Sequence, residues 1–169
     1  MAIDPYGPVT EEEIISVIQE HEYYLKSFEE RRIPLLDSAE SMDGFIQAAS
    51  LRGRPITDGT YGPTNAKRDK MADIVLEASR QLEKQEAFIS SKLYDLAMEE
   101  EKVLTIWLAI HDLPKRETSI LLDMYRGNAK NKLTEIDLTK KYNVSKTTLW
   151  RIRKKAIEKV IEKCATKSK

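Results

Sequence analysis

The chain has 169 residues, 41% hydrophobic and 33% charged, with 28 basic and 28 acidic side chains in balance; that length suits one compact domain or two small ones. No apolar run approaches the ~20 residues of a membrane-spanning helix, no basic-then-apolar leader opens the chain, and one cysteine, Cys164, allows no internal disulfide, so a reducing cytoplasm is expected. The charge is polarised: residues 114–169 hold 16 Lys and Arg against 6 Asp and Glu, and residues 1–113 hold 12 against 22, a division expected of a chain with one module for an anionic partner and also compatible with an acidic bundle carrying a solvated basic tail.

Glycine and proline are few and clustered, and no segment alternates with period two, so the expected fold is all-α. A flexible start spans Pro5 to Pro8. The first helix is expected after Thr10, which stands three residues before Glu13 in the spacing of a capping box; its apolar set is Ile14, Ile15, Ile18, Tyr24 and Leu25. A second helix is expected over 36–51, and a loop over 52–63, where Gly53, Pro55, Gly59, Gly62 and Pro63 gather. A long third helix runs from about Thr64 to the region of Glu99. Its stripe is Met71, Ile74, Val75, Ala78, Leu82, Ile89, Leu93 and Leu96, in steps of three and four that keep one narrow face apolar. Gln85 interrupts that seam and Phe88 lies beside it. The stripe accommodates packing within the chain or a homodimer or oligomer through a coil with another copy. Glu99, Glu100 and Glu101 start or continue the next helix, which carries Val103, Ile106, Trp107 and Ile110 to Leu113; the glutamates read as a solvated face.

The last third is the most informative. Pro114 suits the first turn of a helix, where a missing N–H costs nothing. That helix runs through Ile120, Leu121, Met124 and Tyr125 to Gly127, and a loop covers 128–132. Thr134 then caps a short helix holding Leu138 and Tyr142. Asn143 suits the left-handed conformation that turns the chain, Val144 plugs the corner, and Ser145 caps the following helix. Leu149, Ile152, Ala156 and Val160 recur on one side of it. At about 100° per residue the opposite side presents Thr147, Arg151, Lys154 and Glu158, flanked by Trp150 and Lys155, with Lys146 nearer the edge. A cationic, polar face rooted at a helix N-terminus is what a reader of the DNA major groove needs. A basic amphipathic helix can also meet a membrane surface or an acidic protein, but those uses do not call for the short preceding helix, the Asn-Val corner and the serine cap. No membrane partner is expected.

At these residues the chain resembles region 4 of bacterial sigma factors. Thr134 opens the motif, Asp137-Leu138-Thr139 is its acidic-aliphatic-small trio, and Val144-Ser145 opens the recognition helix, continued by Leu149 to Ala156. Thr139 stands where alanine or glycine is usual. The resemblance implies a C-terminal helix-turn-helix in which Lys146, Thr147 and Arg151 approach bases and Trp150 and Lys155 meet phosphate or protein. Nothing upstream is similar to the aromatic-rich promoter-melting region of a full sigma factor. The layout of helix pair, Gly/Pro loop, long Glu/Lys helix, the 110–114 stretch and the motif resembles the small sigma-region-4-like regulators of phages and prophages of Gram-positive bacteria, the ArpU/RinA-like late regulators.

The expectation is therefore an acidic helical region over 1–113, for self-association or contact with RNA polymerase, and a basic helix-turn-helix over 114–169 that binds double-stranded DNA in a bacterial host. In it Lys146, Thr147 and Arg151 read bases, Lys140, Arg153, Lys154 and Lys155 hold phosphates, and Ser145 and Trp150 complete the site. A DNA-packaging adaptor similar to a phage small terminase subunit and a protein-only module binding sigma factor or polymerase remain open. His21 and His111 lack ligand-spaced partners and read as surface or interfacial residues, Trp107 as core, and Cys164 as incidental. The basic loop at Arg52-Gly53-Arg54 and Gly59 to Gly62 lacks the spacing of a nucleotide loop. No catalytic constellation, metal site or cofactor is expected.

Overall fold

The structure, a computed structural model, describes residues 3–52, 65–126 and 133–167. Among them it is all-α: α1 (Glu11–Arg52), α2 (Asn65–His111), α3 (Lys115–Tyr125), α4 (Glu135–Tyr142) and α5 (Lys146–Lys167). No described helix is long and apolar enough to cross a membrane. The loop expected over 52–63, after Arg52, and the one over 128–132 lie outside the described residues, as do the side chains of Met71, Ile74 and Val75.

The start of α1 is fixed locally. Glu13 N–H donates to Thr10 Oγ1 at 3.3 Å, and Thr10 N–H donates to a Glu13 carboxylate oxygen at 3.0 Å, the reciprocal pair of a capping box. The helix expected over 36–51 is not separate, because α1 continues through Pro34. Pro34 removes one backbone N–H and crowds the carbonyl four residues before it; Leu35 and Leu36 after it are strong helix formers, and Ser38 Oγ donates to the Pro34 carbonyl at 2.7 Å. The departure from helical geometry falls at Glu20 instead (φ −123°, ψ 20°). The two helices expected on either side of Glu99 are likewise one, α2, since neither glycine nor proline interrupts 65–111.

The chain forms two compact units, one of residues 29–96 and one of residues 1–28 with 97–169. This partition differs from the expected division at residue 113, because the beginning of α1 and the end of α2 belong with α3, α4 and α5. In the 29–96 unit the α2 stripe is partly covered: Leu96 is buried, Leu82, Ile89 and Leu93 are half-buried, and Ala78 is exposed. Leu76, Phe88 and Tyr94 are exposed on the same helix.

Among the described residues, the other unit holds the deepest core, including Ile14, Val17 and Ile18 from α1, Val103, Ile106 and Ile110 from α2, and Ile120 and Leu121 from α3. Of the apolar set read for the first helix, Leu25 is exposed and Tyr24 is buried, its hydroxyl bonded to Ser16 at 2.7 Å. Lys102 is buried among this apolar surface. Its ammonium donates to Glu13 Oε1 at 2.8 Å, the Asp4 carbonyl at 2.7 Å and the Gly7 carbonyl at 3.1 Å. All three ammonium protons are thus used, and the segment before α1 is fastened to α2.

Candidate nucleic-acid interface

Three helices build the frame of the site. Ile120 and Met124 of α3, Leu138 of α4 and Leu149 of α5 form one buried cluster, with Tyr125, Leu133, Tyr142, Val144 and Ile152 packed against it. The corner between α2 and α3 is held by Thr118, whose hydroxyl donates to the carbonyls of Ile110 (3.1 Å) and Leu113 (3.2 Å). Pro114 occupies the N-cap position of α3, one residue before the helix begins.

The entry to α4 is a second capping box. Asp137 N–H donates to Thr134 Oγ1 at 3.2 Å, and Asp137 Oδ2 accepts from the Thr134 N–H at 3.1 Å and its hydroxyl at 2.6 Å. The Thr134 hydroxyl and N–H bonds hold the Asp137 carboxyl below its ordinary range. The exit is set by Asn143, the one non-glycine residue of positive φ among the described residues (φ 50°, ψ 53°). Asn143 N–H reaches the Lys140 carbonyl at 3.3 Å and Val144 N–H the Thr139 carbonyl at 3.1 Å, the paired bonds of a Schellman motif. Ser145 Oγ then accepts from Thr148 N–H at 3.2 Å and caps α5. The same hydroxyl lies 2.9 Å from Thr148 Oγ1.

Charged and polar ties fix the three helices to one another. Lys141 Nζ lies 2.6 Å from Asp123 Oδ2, and the Tyr142 hydroxyl donates to the same oxygen. Burial first, then this bond to Asp123, pushes the Tyr142 phenol well above its ordinary value. Lys159 of α5 spans both oxygens of Glu117 in α3 at 2.7 and 2.8 Å, and Lys163 pairs with Asp112, the residue after α2.

On this frame the outward face of α5 carries Lys146, Thr147, Trp150, Arg151, Lys154 and Lys155, all exposed, and Lys140 is exposed on α4. Leu149, Ala156 and Val160 are buried on the inward face and Ile152 is half-buried. Among the described residues Arg151, Lys154 and Lys155 stand in no ion pair. Lys146 does, with Glu135 at 2.5 Å, so contact with another anion requires exchange of that partner. Arg153 departs from the phosphate role expected of it. Its side chain is 16% exposed and turned inward: Nε donates to the Tyr125 hydroxyl, Nη2 pairs with Glu11, and the guanidinium lies over the Tyr125 and Trp150 rings.

The histidines expected at the surface or an interface meet Trp107, which was expected in the core. Trp107 is half-buried, with His21 stacked on its ring at 3.9 Å and His111 meeting it edge-on at 4.7 Å. His21 Nε2 is buried without a partner. Burial, followed by the nearby Arg126 charge, lowers the His21 pKa; Glu22 opposes this and His111 adds to it. Cys164 is buried. Among the described residues no group of three or more His, Cys, Asp or Glu side chains could hold a metal ion.

Comparison of the chain with protein-family models, with curated proteins and with solved structures returns no match.

Proposed function

We propose that the protein is a non-enzymatic, sequence-specific regulator of transcription that binds double-stranded DNA through the outward face of α5. The observation that carries this reading is the row Thr147, Arg151 and Lys154 with Lys155 beside it. It is exposed, free of ion pairs at its cations among the described residues, and backed by an inward face fixed in the core. A helix held in that way enters the major groove as a rigid body. Arg151 is placed to bind guanine O6 and N7, and the lysines neutralise phosphates. The capped turn from α4 to α5 favours this over a membrane-surface helix, which needs no such frame.

The likeness to sigma region 4 extends the reading to a small helix-turn-helix regulator of phage or prophage genes, acting in the bacterial cytoplasm with RNA polymerase as a second partner. Self-association falls to the half-covered stripe of α2. A closed ring of many subunits in native mass measurement would move the reading to a DNA-packaging adaptor.

The test is titration of labelled duplex DNA across a salt series. The expected result is a log-log decline of affinity with a slope of about 0.9 per phosphate neutralised. Arg151→Ala should then lose about 1–3 kcal/mol of discrimination at one base pair. Salt-independent binding, no binding, or unchanged discrimination in Arg151→Ala contradicts the assignment.

A further inference from the structure

We propose that Arg153 is a positioning residue: it holds the Trp150 ring in place on the DNA-facing side of α5 and ties it to Glu11 at the start of α1. This deepens the DNA-binding reading and rests on it. Arg153 follows Trp150 by three residues, so the two side chains are neighbours on the helix surface. Its guanidinium carbon lies 5.0 Å from the Trp150 ring centroid and 5.6 Å from that of Tyr125. The edge of the guanidinium is occupied at the same time, Nε by the Tyr125 hydroxyl and Nη2 by the Glu11 carboxylate. A planar cation bonded at two points of its edge and lying within 5.0 Å of the Trp150 ring centroid is constrained in orientation in a way that a lysine cannot reproduce.

The consequence falls on Trp150. It is 40% exposed and sits next to Arg151, one turn after Lys146 and Thr147 and one turn before Lys154. An indole free to change rotamer there would sweep across the face that meets the groove. Held against Arg153, it presents one shape to the DNA and so contributes to sequence discrimination. Arg153 itself adds little to the field at a phosphate, because Glu11 is paired with it.

Electrostatics alone and positioning act on different quantities for Glu11. Removing a carboxylate beside a DNA-binding face strengthens binding if charge is all that matters. If Glu11 anchors Arg153, its removal loosens Trp150 and lowers discrimination.

The experiment uses the full chain in a Trp107→Phe background, so that Trp150 is the single tryptophan. Acrylamide quenching of Trp150 is measured without DNA for the parent, Arg153→Ala, Arg153→Lys and Glu11→Gln. The expected result is increased quenching in all three, smallest in Glu11→Gln, whose exposed side chain poses little risk to folding. Binding is then compared between a duplex selected by the parent from a random-sequence pool and an unselected duplex. The expected loss is several-fold in the ratio of the two affinities, with the salt slope unchanged. Unaltered quenching in Arg153→Ala and Glu11→Gln overturns the positioning role. A slope reduced by about 0.9 with an intact affinity ratio makes Arg153 a phosphate ligand and overturns the proposal equally. Failure of the parent to select any duplex removes the DNA reading of α5, while quenching still decides whether Arg153 orders Trp150.

Discussion

Single residues divide into those whose placement follows from near neighbours and those fixed by distant ones. Asn143 belongs to the first kind. Its left-handed backbone and the bonds to Lys140 and Thr139 are complete within five residues. His21 belongs to the second, since its environment comes from Trp107, His111 and Arg126. Its depressed pKa has a signed consequence. Above about pH 6.5, its ordinary value, the ring is neutral in both folded and unfolded chains. As the pH falls through 6.5 the unfolded chain takes up a proton that the folded ring resists, so stability declines until the folded ring is protonated as well. His21→Phe retains a ring against Trp107 and removes the titration. Melting temperature followed from pH 7.5 to 5 should fall less steeply in that variant than in the parent; parallel curves would show that His21 contributes nothing to the acid response.

The same distinction explains which elements the sequence revealed. The caps at Thr10, Thr134 and Ser145 join partners three residues apart, and each is present. The outward face of α5 follows from helical geometry once Leu149 and Ala156 are recognised as buried. The continuity of α1 through Pro34 was not read from the sequence, where a separate helix was expected over 36–51. Arg153 was assigned to phosphate because its partner Glu11 lies 142 positions away. Lys102 gave no local signal for the same reason, as its acceptors are 89 to 98 positions distant.

Lys102 joins α2 to the start of α1 through an ion pair whose side chains are 8% and 9% exposed. Replacing one partner leaves a buried charge uncompensated, so Lys102→Met should destabilise by about 3–5 kcal/mol. The double variant Lys102→Met/Glu13→Leu should recover most of that, short of the ~1 kcal/mol expected from loss of the Thr10 capping contact. Denaturant midpoints of the two singles and the double test this directly; additive losses would mean that the pair is not coupled.

At the scale of the whole molecule, the basic C-terminal third shares its compact unit with the start of α1 and the end of α2. Leu121, Ile157, Val160 and Cys164 are buried outside the four-residue cluster that α3, α4 and α5 form together. They lie in the unit that also contains the start of α1 and the end of α2. Ties to Ile110, Asp112 and Glu11 cross the 113/114 boundary as well. A fragment of residues 114–169 should therefore melt well below the full chain when followed by circular dichroism. Equal melting temperatures would restore the boundary expected from charge and sequence pattern. The acidic part of the chain thus supplies walls to the unit that presents the basic face, and Glu11 brings one of its carboxylates to α5 itself.

The proposed function requires duplex DNA to lie against the outward face of α5. Backbone-amide NMR of the full chain during titration with a short duplex at low salt tests it residue by residue. Chemical-shift changes should concentrate over residues 145–155 and reverse with added salt, with the amides of residues 76–96 unmoved. Changes confined to residues 76–96, or absent from 145–155, would contradict it.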